Sequence, residues 1–507
     1  MSCRCSSPSV PVGSRSDEMI RRISQGLRSF PPPGGALRIP GRNAPYALFP
    51  HSRGILLLAA LVLPGLLLAP GALMAQDVEE RFPGVSLGIT YEGRRASTLA
   101  IQPFVGRLGG EAVAARAEAI VARDLRYSNR FTVLDSLPSS FARDEVDYAL
   151  WDQLGADFLV TGQVEGAGSS AVLILELHDV VYREVRERGR FTLPHPDSPE
   201  FRMAAHVGSD AVVFWATGEP GFAASRIAFS RRMEDGTQDL WLVDSDGENL
   251  RRLTNHRDLA LSPSWAPDGR RVAYTSYRSG LPRVYQLDLD TGQEREIPSP
   301  RPGDYLTPTY SPDGQTLVFA VNGGGRSGLF SYNVGRDCCF AALTEGRHED
   351  ISPSFSPDGR RIVFNSNRLG TGAPQIYVMP AGGGRAEILS PYVFGRPGYY
   401  TSPEWSPVGD RVAYHGRIEN RGRHQILISE LGRNNRIVQL TFEGNNEDPS
   451  WAPDGRHLVY VGERSWGHGL FIVDAVTGNT RTLVSGIRPN LPSWSPSLSP
   501  RMAEEDG

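Results

Sequence analysis

Six short polar stretches hold most of the side chains that could bind or react. They read TNHRDLALSP, SPRPGDYLTP, EGRHEDISP, FGRPGYYTSP, EGNNEDPS and SGIRPNLPS. Between them they carry His256, Asp258, Asp304, Tyr305, His348, Glu349, Asp350, Tyr400, Asn446, Glu447, Asp448, Arg488 and Asn490. Acids outnumber arginine in this set. Carboxylates gathered at one place could bind a peptide or a divalent cation such as Ca²⁺, which is held by oxygen ligands. Taken singly, each Asp or Asn could equally be serving a turn. The chain has no His-Glu-x-x-His, no Gly-x-Ser-x-Gly and no Walker-type phosphate loop. These motifs would mark a zinc site, a nucleophile or a phosphate cradle. The expectation is a binding protein and not an enzyme.

What positions these stretches is a repeat. Each precedes or overlaps a kernel: SPSWAPDG at 262–269, TPTYSPDG at 307–314, SPSFSPDG at 352–359, SPEWSPVG at 402–409, DPSWAPDG at 448–455 and LPSWSPSL at 491–498. The kernel prolines Pro267, Pro312, Pro357, Pro407, Pro453 and Pro496 recur every 43 to 50 residues. That period belongs to four-stranded propeller blades. Pro-Asp-Gly is turn chemistry: Pro presets φ, Asp bonds the local backbone and Gly accepts a positive φ. Alternating strands such as RRVAYTS and RVYQLDL follow the turn. The kernel aromatics Trp265, Tyr310, Phe355, Trp405, Trp451 and Trp494 are expected on the innermost strands, packed between blades. The region opens with RIAFSRR, which has no kernel before it, and ends with a kernel that has no strands after it. The last kernel should therefore complete the first blade, closing a six-bladed ring. In such a ring the six polar stretches converge on one mouth of the channel. Val408 replaces the turn Asp in the fourth kernel, and only a local change is expected there.

Ahead of the repeat the texture alternates between strand and helix. TLAIQPF, FTVLDS, FLVTGQVEG and AVLILELHDV read as strands, and EAVAARAEAIVARDLRYS, EVDYALWDQLGADF and SPEFRMAAHVGSDAVVFWATG as helices. The fold expected is an α/β N-terminal domain (76–221), then an all-β six-bladed propeller (222–498) closed by the C-terminal strand, with a short tail (499–507). Arg53 to Gln76 has a basic lead, an apolar run too short for a comfortable membrane span, and small residues before Ala75. It reads as a secretory signal peptide over 53–75, and 1–52 as a leader or a start-site artefact. The net charge is −4, and all 53 basic residues counted as Lys+Arg are Arg. This gives no nucleic-acid signature. Cys3 and Cys5 leave with the leader. Cys338 and Cys339 remain, and strand alternation would point them to opposite faces, which favours packing over a redox role.

The kernel, its six-fold count, the terminal LPSWSPSL and the segments LAIQPF, IVARDLRYSNRFTVLD and WDQLGADFLVTGQV together resemble the TolB family of cell-envelope propellers. The resemblance covers roughly 77–498. It implies a periplasmic, non-enzymatic adaptor of the Tol–Pal system; a closed ring with no obvious apolar edge argues separately for a monomer. Such a protein is peripheral to membranes through its partners and supports outer-membrane integrity and constriction at division. It further implies a Pal-like peptidoglycan-associated lipoprotein at the propeller mouth. A TolA-like inner-membrane protein would meet the N-terminal segment, here Asp77, Val78, Glu79, Glu80 and Arg81. Glu79, Glu80 and Pro83 depart from the family pattern in that segment. An exported propeller that binds or hydrolyses a glycan or peptide at the mouth, or a scaffold with no small ligand, would also fit the repeat. Neither has an evident use for the N-terminal domain.

Overall fold

The computed structural model describes residues 96–141, 145–168, 171–392, 398–417, 422–432 and 436–498. The leader, the signal sequence, Asp77–Arg81 and the tail lie outside the described residues. Among those described, no helix is long and apolar enough to cross a membrane.

The N-terminal domain runs β1 (Ser97–Ile101), β2 (Val105–Arg107), α1 (Glu111–Tyr127), β3 (Phe131–Leu134), α2 (Tyr148–Gln153), β4 (Phe158–Glu165), β5 (Ala171–Asp179), β6 (Glu184–Leu193) and α3 (Pro199–Thr217). The sheet order is β3-β1-β4-β5-β6, with β2 also pairing β4. In α1, Val113, Ala117, Ile120, Val121 and Leu125 recur at helical spacing and are all buried. With α3 they cover the face of the sheet that carries Leu99, Ile101 and Val160. Alternation turns Ala100 and Leu159 to the other face, where they meet Trp151 of α2. Ser198 caps α3 ahead of Pro199, and Gly218 ends it at φ 75°. The helix expected over 145–158 is only one and a half turns long, because Asp147 caps it by accepting from the Leu150 amide.

The propeller has six four-stranded antiparallel sheets. The inner strands, in ring order, are Pro489–Trp494, Ala260–Trp265, Asp304–Tyr310, Asp350–Phe355, Tyr399–Trp405 and Asn445–Trp451. Each touches the next, and the last touches the first. Blades are numbered one to six in this order. Blade one is Pro489–Trp494 paired to Arg226–Arg232, then Gln238–Asp244 and Arg251–Arg252. The C-terminal strand thus supplies its inner strand. Trp494 pairs with Ile227, and Ser495 accepts the Arg226 amide across 269 residues of sequence.

Every inner strand has a bulge at the kernel's first residue. Ser262, Thr307, Ser352, Ser402, Asp448 and Leu491 all take φ between 48° and 54°, and the pairing register slips just after each. The slip turns the next polar residue toward the neighbouring inner strand. Ser354 Oγ accepts the Trp405 amide (3.0 Å), and Ser450 Oγ accepts the Trp494 amide (2.9 Å). Glu404 fills the same place and accepts from Ser450 Oγ (3.1 Å) and the Trp451 amide (3.2 Å). Burial pushes the Glu404 carboxyl up to about 8, against the lowering effect of those two bonds. Val408 leaves the fourth turn intact: Ser406 bonds Val408, and Gly409 keeps φ 77°.

The kernel aromatics bury their rings between blades, a gain of roughly 2–3 kcal/mol each. Trp265 Nε1 donates to Ser493 O (3.0 Å) and Trp451 Nε1 to Glu404 O (3.2 Å), whereas buried Trp405 Nε1 meets no acceptor among the described residues. Trp451→Phe is therefore expected to cost about 1 kcal/mol more than Trp405→Phe in denaturant unfolding. Equal losses would contradict the assignment.

Cys338 and Cys339 are joined as a vicinal disulfide in the outer strand of blade three, Cys338–Ala342. This corrects the expected alternation. Cys339 takes φ 66°, and the register slips opposite the pair, so the two side chains are not sent to opposite faces.

The N-terminal domain docks on the end of the propeller that carries the Pro-Asp-Gly turns. Arg123 and Arg202, from α1 and α3, both reach Asp246 in blade one. His206 Nδ1 lies 2.7 Å from Asp124, and its Nε2 lies 3.5 Å from Asp246. In blade six, Arg456 donates to Asn129 O (3.1 Å), and His457 meets Asn129. Burial pulls the His206 pKa down, but Asp124, Asp246 and Asp244 outweigh it and raise it to about 9. The ordinary value is about 6.5. The cationic ring therefore contributes stability that is full below about pH 6.5 and is lost as pH rises through about 9. The expected loss is up to about 3 kcal/mol in unfolding experiments across that window, absent in His206→Gln.

Candidate functional site

Among the described residues, the opposite end of the propeller is free of the N-terminal domain. Two sets of connections meet there: the loops that lead into each inner strand, and the hairpin turns between the second and third strands. Backbone bonds clip them together. Arg232 N donates to Arg488 O, Gln238 N to Asp258 O, Tyr305 N to Pro282 O, Ser327 N to His348 O, Tyr400 N to Pro374 O and Asn446 N to His424 O. The described parts of the six polar stretches do lie at one mouth, as their spacing requires.

Their side chains divide by depth. Glu349 and Arg488 are exposed, and His256, Asp258, Asp304, His348, Glu447 and Asn490 are half-buried. Tyr305, Asp350, Tyr400, Asn446 and Asp448 are buried, which corrects their place in a contact surface. Tyr305 packs on Phe319 and bonds the Arg301 backbone. Tyr400 stands edge-on to Tyr414. Asp350 is paired with Arg368 at 3.0 Å. Asn446 bonds Gln425, Glu443 O and Arg464. Asp448 ties three inner strands together, accepting from Ser402 Oγ (2.8 Å) and the Leu491 amide (3.3 Å).

The half-buried acids are also engaged. Glu447 accepts from Asn445 Nδ2 (2.8 Å) and contacts His424 Nδ1 (2.6 Å). His256 is held by Glu294 at 3.0 Å, and Glu294 also takes Tyr274 OH and Arg278. Asp304 has no such partner among the described residues, and desolvation raises its pKa despite nearby Arg283. Arg257, Arg301, Arg347 and Arg488 are exposed on four of the six loops, and none is ion-paired among the described residues. The presented surface is thus mixed and not acidic. The oxygens of Asp350 and Asp448 are committed, and no three carboxylates converge among the described residues. The donor set does not fit the six to eight oxygens of a Ca²⁺ cage.

Sequence reasoning missed the apolar part of this face. Phe442 is 60% exposed and Trp466 53%, in the loop into blade six and in that blade's hairpin turn. Gly444 lies against Glu463 and Arg464, so these two connections run side by side. Leu281, in the hairpin turn of blade two, is also exposed. A tryptophan inside the tight turn ERSWGHG was the available signal, since nothing in turn chemistry calls for one.

The TolB beta propeller domain model matches residues 215–498, and the TolB amino-terminal domain model matches 85–185. The Tol-Pal system protein TolB of Anaeromyxobacter dehalogenans (strain 2CP-1) is 36% identical over 243 residues, 46% of this chain and 54% of that protein. The protein of the same name from Anaeromyxobacter sp. (strain K) is 35% identical over 278 residues, 54% of this chain and 61% of that one. The matched stretch thus spans about half the length of these curated relatives. The crystal structure of TolB from Acinetobacter baumannii superposes with a TM-score of 0.68 at 26% identity, covering 80% of this chain and 97% of that one.

Proposed function

This chain belongs to the TolB family, and from that premise we propose that it is a periplasmic, non-enzymatic adaptor of a Tol–Pal system. The propeller mouth receives a Pal-like peptidoglycan-associated lipoprotein. The N-terminal region, including Asp77–Arg81, meets a TolA-like inner-membrane protein. Through the two contacts the chain supports outer-membrane integrity and constriction at division. One observation carries the reading: among the described residues, the N-terminal domain docks on the turn end of the propeller and leaves the loop end uncovered. A protein built to hold two partners needs two separated faces. The exposed Trp, Phe and Arg residues at the mouth support a protein partner, because these types are enriched at interface centres.

The test is calorimetric titration of the purified chain with the soluble domain of the peptidoglycan-associated lipoprotein from the same cells. Saturable one-to-one binding is expected. An absence of heat and of co-elution would overturn the mouth as a lipoprotein site.

A further inference from the structure

Beside the exposed Phe442 lies a group of side chains that the adaptor role does not use. His415 stands on the second strand of blade five, Arg411–Arg417, and His424 just ahead of its third strand, Gln425–Glu430. Glu447 comes from the inner strand of blade six. One nitrogen of each ring and one carboxylate oxygen lie within 4.8 Å of one another. From this arrangement we infer a binding site for a transition-metal ion of the Zn²⁺ class, held by His415, His424 and Glu447 and joining blade five to blade six at the mouth.

The unmet nitrogens carry the argument. The Asp448 amide donates to His415 Nδ1 (3.0 Å), which leaves the proton of the neutral ring on Nε2. That Nε2 is fully buried and has no partner among the described residues. A buried polar group left unpaired costs about 1–3 kcal/mol. His424 Nε2 is buried and unpartnered as well, while its Nδ1 contacts Glu447 Oε1. Two imidazoles, each with one buried nitrogen that meets no protein partner, stand beside a carboxylate, and this is the donor chemistry of a borderline cation and not of Ca²⁺.

The outer contacts are also in place. Tyr399 stacks on His424 at 5.3 Å and holds its ring plane. Asn445 accepts the His424 amide (2.8 Å) and donates to Glu447, fixing the strand bearing the histidine against the strand bearing the carboxylate. With a metal on His415 Nε2 the ring proton sits on Nδ1, which breaks the bond from the Asp448 amide (3.0 Å) and requires Asp448 Oδ1, now 3.7 Å away, to turn in and accept it. A carboxylate behind a ligating imidazole is the usual outer contact of such sites. Donor atoms in a tetrahedral zinc site sit about 3.3 Å apart, given metal–ligand bonds of about 2.0–2.2 Å. The three groups therefore need to draw in by at most about 1.5 Å. With three protein ligands, the fourth position is left for water or for a partner's side chain.

The experiment is a titration of the full-length, tag-free chain with Co²⁺ as the optical probe, followed by displacement with Zn²⁺. The expected result is one equivalent of Co²⁺ with tetrahedral ligand-field bands, removed by Zn²⁺ and not by Ca²⁺. His424→Ala and, separately, the isosteric Glu447→Gln should each weaken Zn²⁺ at least about 100-fold. Exposed His468→Ala should leave affinity unchanged. Featureless spectra, or bands that persist in both site variants while the fold is intact by circular dichroism, would overturn the site. Loss of lipoprotein binding does not bear on this result, because the readout is the metal spectrum alone.

Discussion

Asp246→Asn is expected to cost about 3–5 kcal/mol, the largest loss of stability for any single isosteric change in this chain. The Asp246 side chain is 1% exposed and faces three cationic groups: Arg123, Arg202 and His206. Arg202 and His206 are themselves well shielded, at 14% and 0% exposure. A buried ion cluster adds little net stability when intact, because desolvation offsets attraction. Removing the anion leaves uncompensated cations in a poorly solvated place, and that is costly. The neighbouring Glu248, 55% exposed and 3.4 Å from Arg123, provides the control. Glu248→Gln should change stability by less than about 0.5 kcal/mol. Guanidinium unfolding of both variants settles the matter, and losses of similar size would show that the cluster is an ordinary surface network. Because Asp246 belongs to the propeller and its partners to α1 and α3, proteolysis of Asp246→Asn should cut first between Gly218 and Ser225, releasing the N-terminal domain.

The second large effect concerns binding. Replacing Phe442 and Trp466 together by Ala is expected to weaken the lipoprotein domain at least about 30-fold, the equivalent of a 2 kcal/mol hot spot. Both rings are more than half exposed, so the double variant should lose little stability. Asp350→Asn makes the contrast. It removes the partner of Arg368 and should lower stability without selectively lowering affinity. Calorimetry with the same lipoprotein domain, beside a thermal melt, separates the two. Unchanged affinity in Phe442→Ala/Trp466→Ala would move the contact to another sector of the mouth.

Much of the architecture was legible because repetition made it so. Six near-copies of one kernel fix the blade count, and the unmatched halves at the two ends fix the closure. Strand β6 escaped notice because Glu184, Arg186, Glu187, Arg188 and Arg190 crowd an edge strand with charge, hiding the alternation that Val185 and Phe191 might have shown. The mouth was readable as a place but not as a surface. Sequence puts Tyr305, Tyr400 and Asp448 in the right loops, yet the left-handed residue of each kernel decides which side chains turn inward, and a pattern of letters does not carry φ. The histidine pair escaped for another reason: His415 and His424 belong to one blade and Glu447 to the next, so no local spacing links them.

The closing strand has a consequence for how the chain is made. Blade one is begun by Arg226 and cannot be finished until the chain through Trp494 has been delivered to the compartment where it folds. Until then its edge at Arg226–Arg232 stays open, and an open edge is a template for another chain. The entropy of joining such distant ends grows only logarithmically with length, so the delay is kinetic and not a large cost to the finished ring. A message cut short just before codon 489 would therefore yield a nearly complete propeller with a permanently exposed edge, a product fit for clearance or aggregation and not for work at reduced strength.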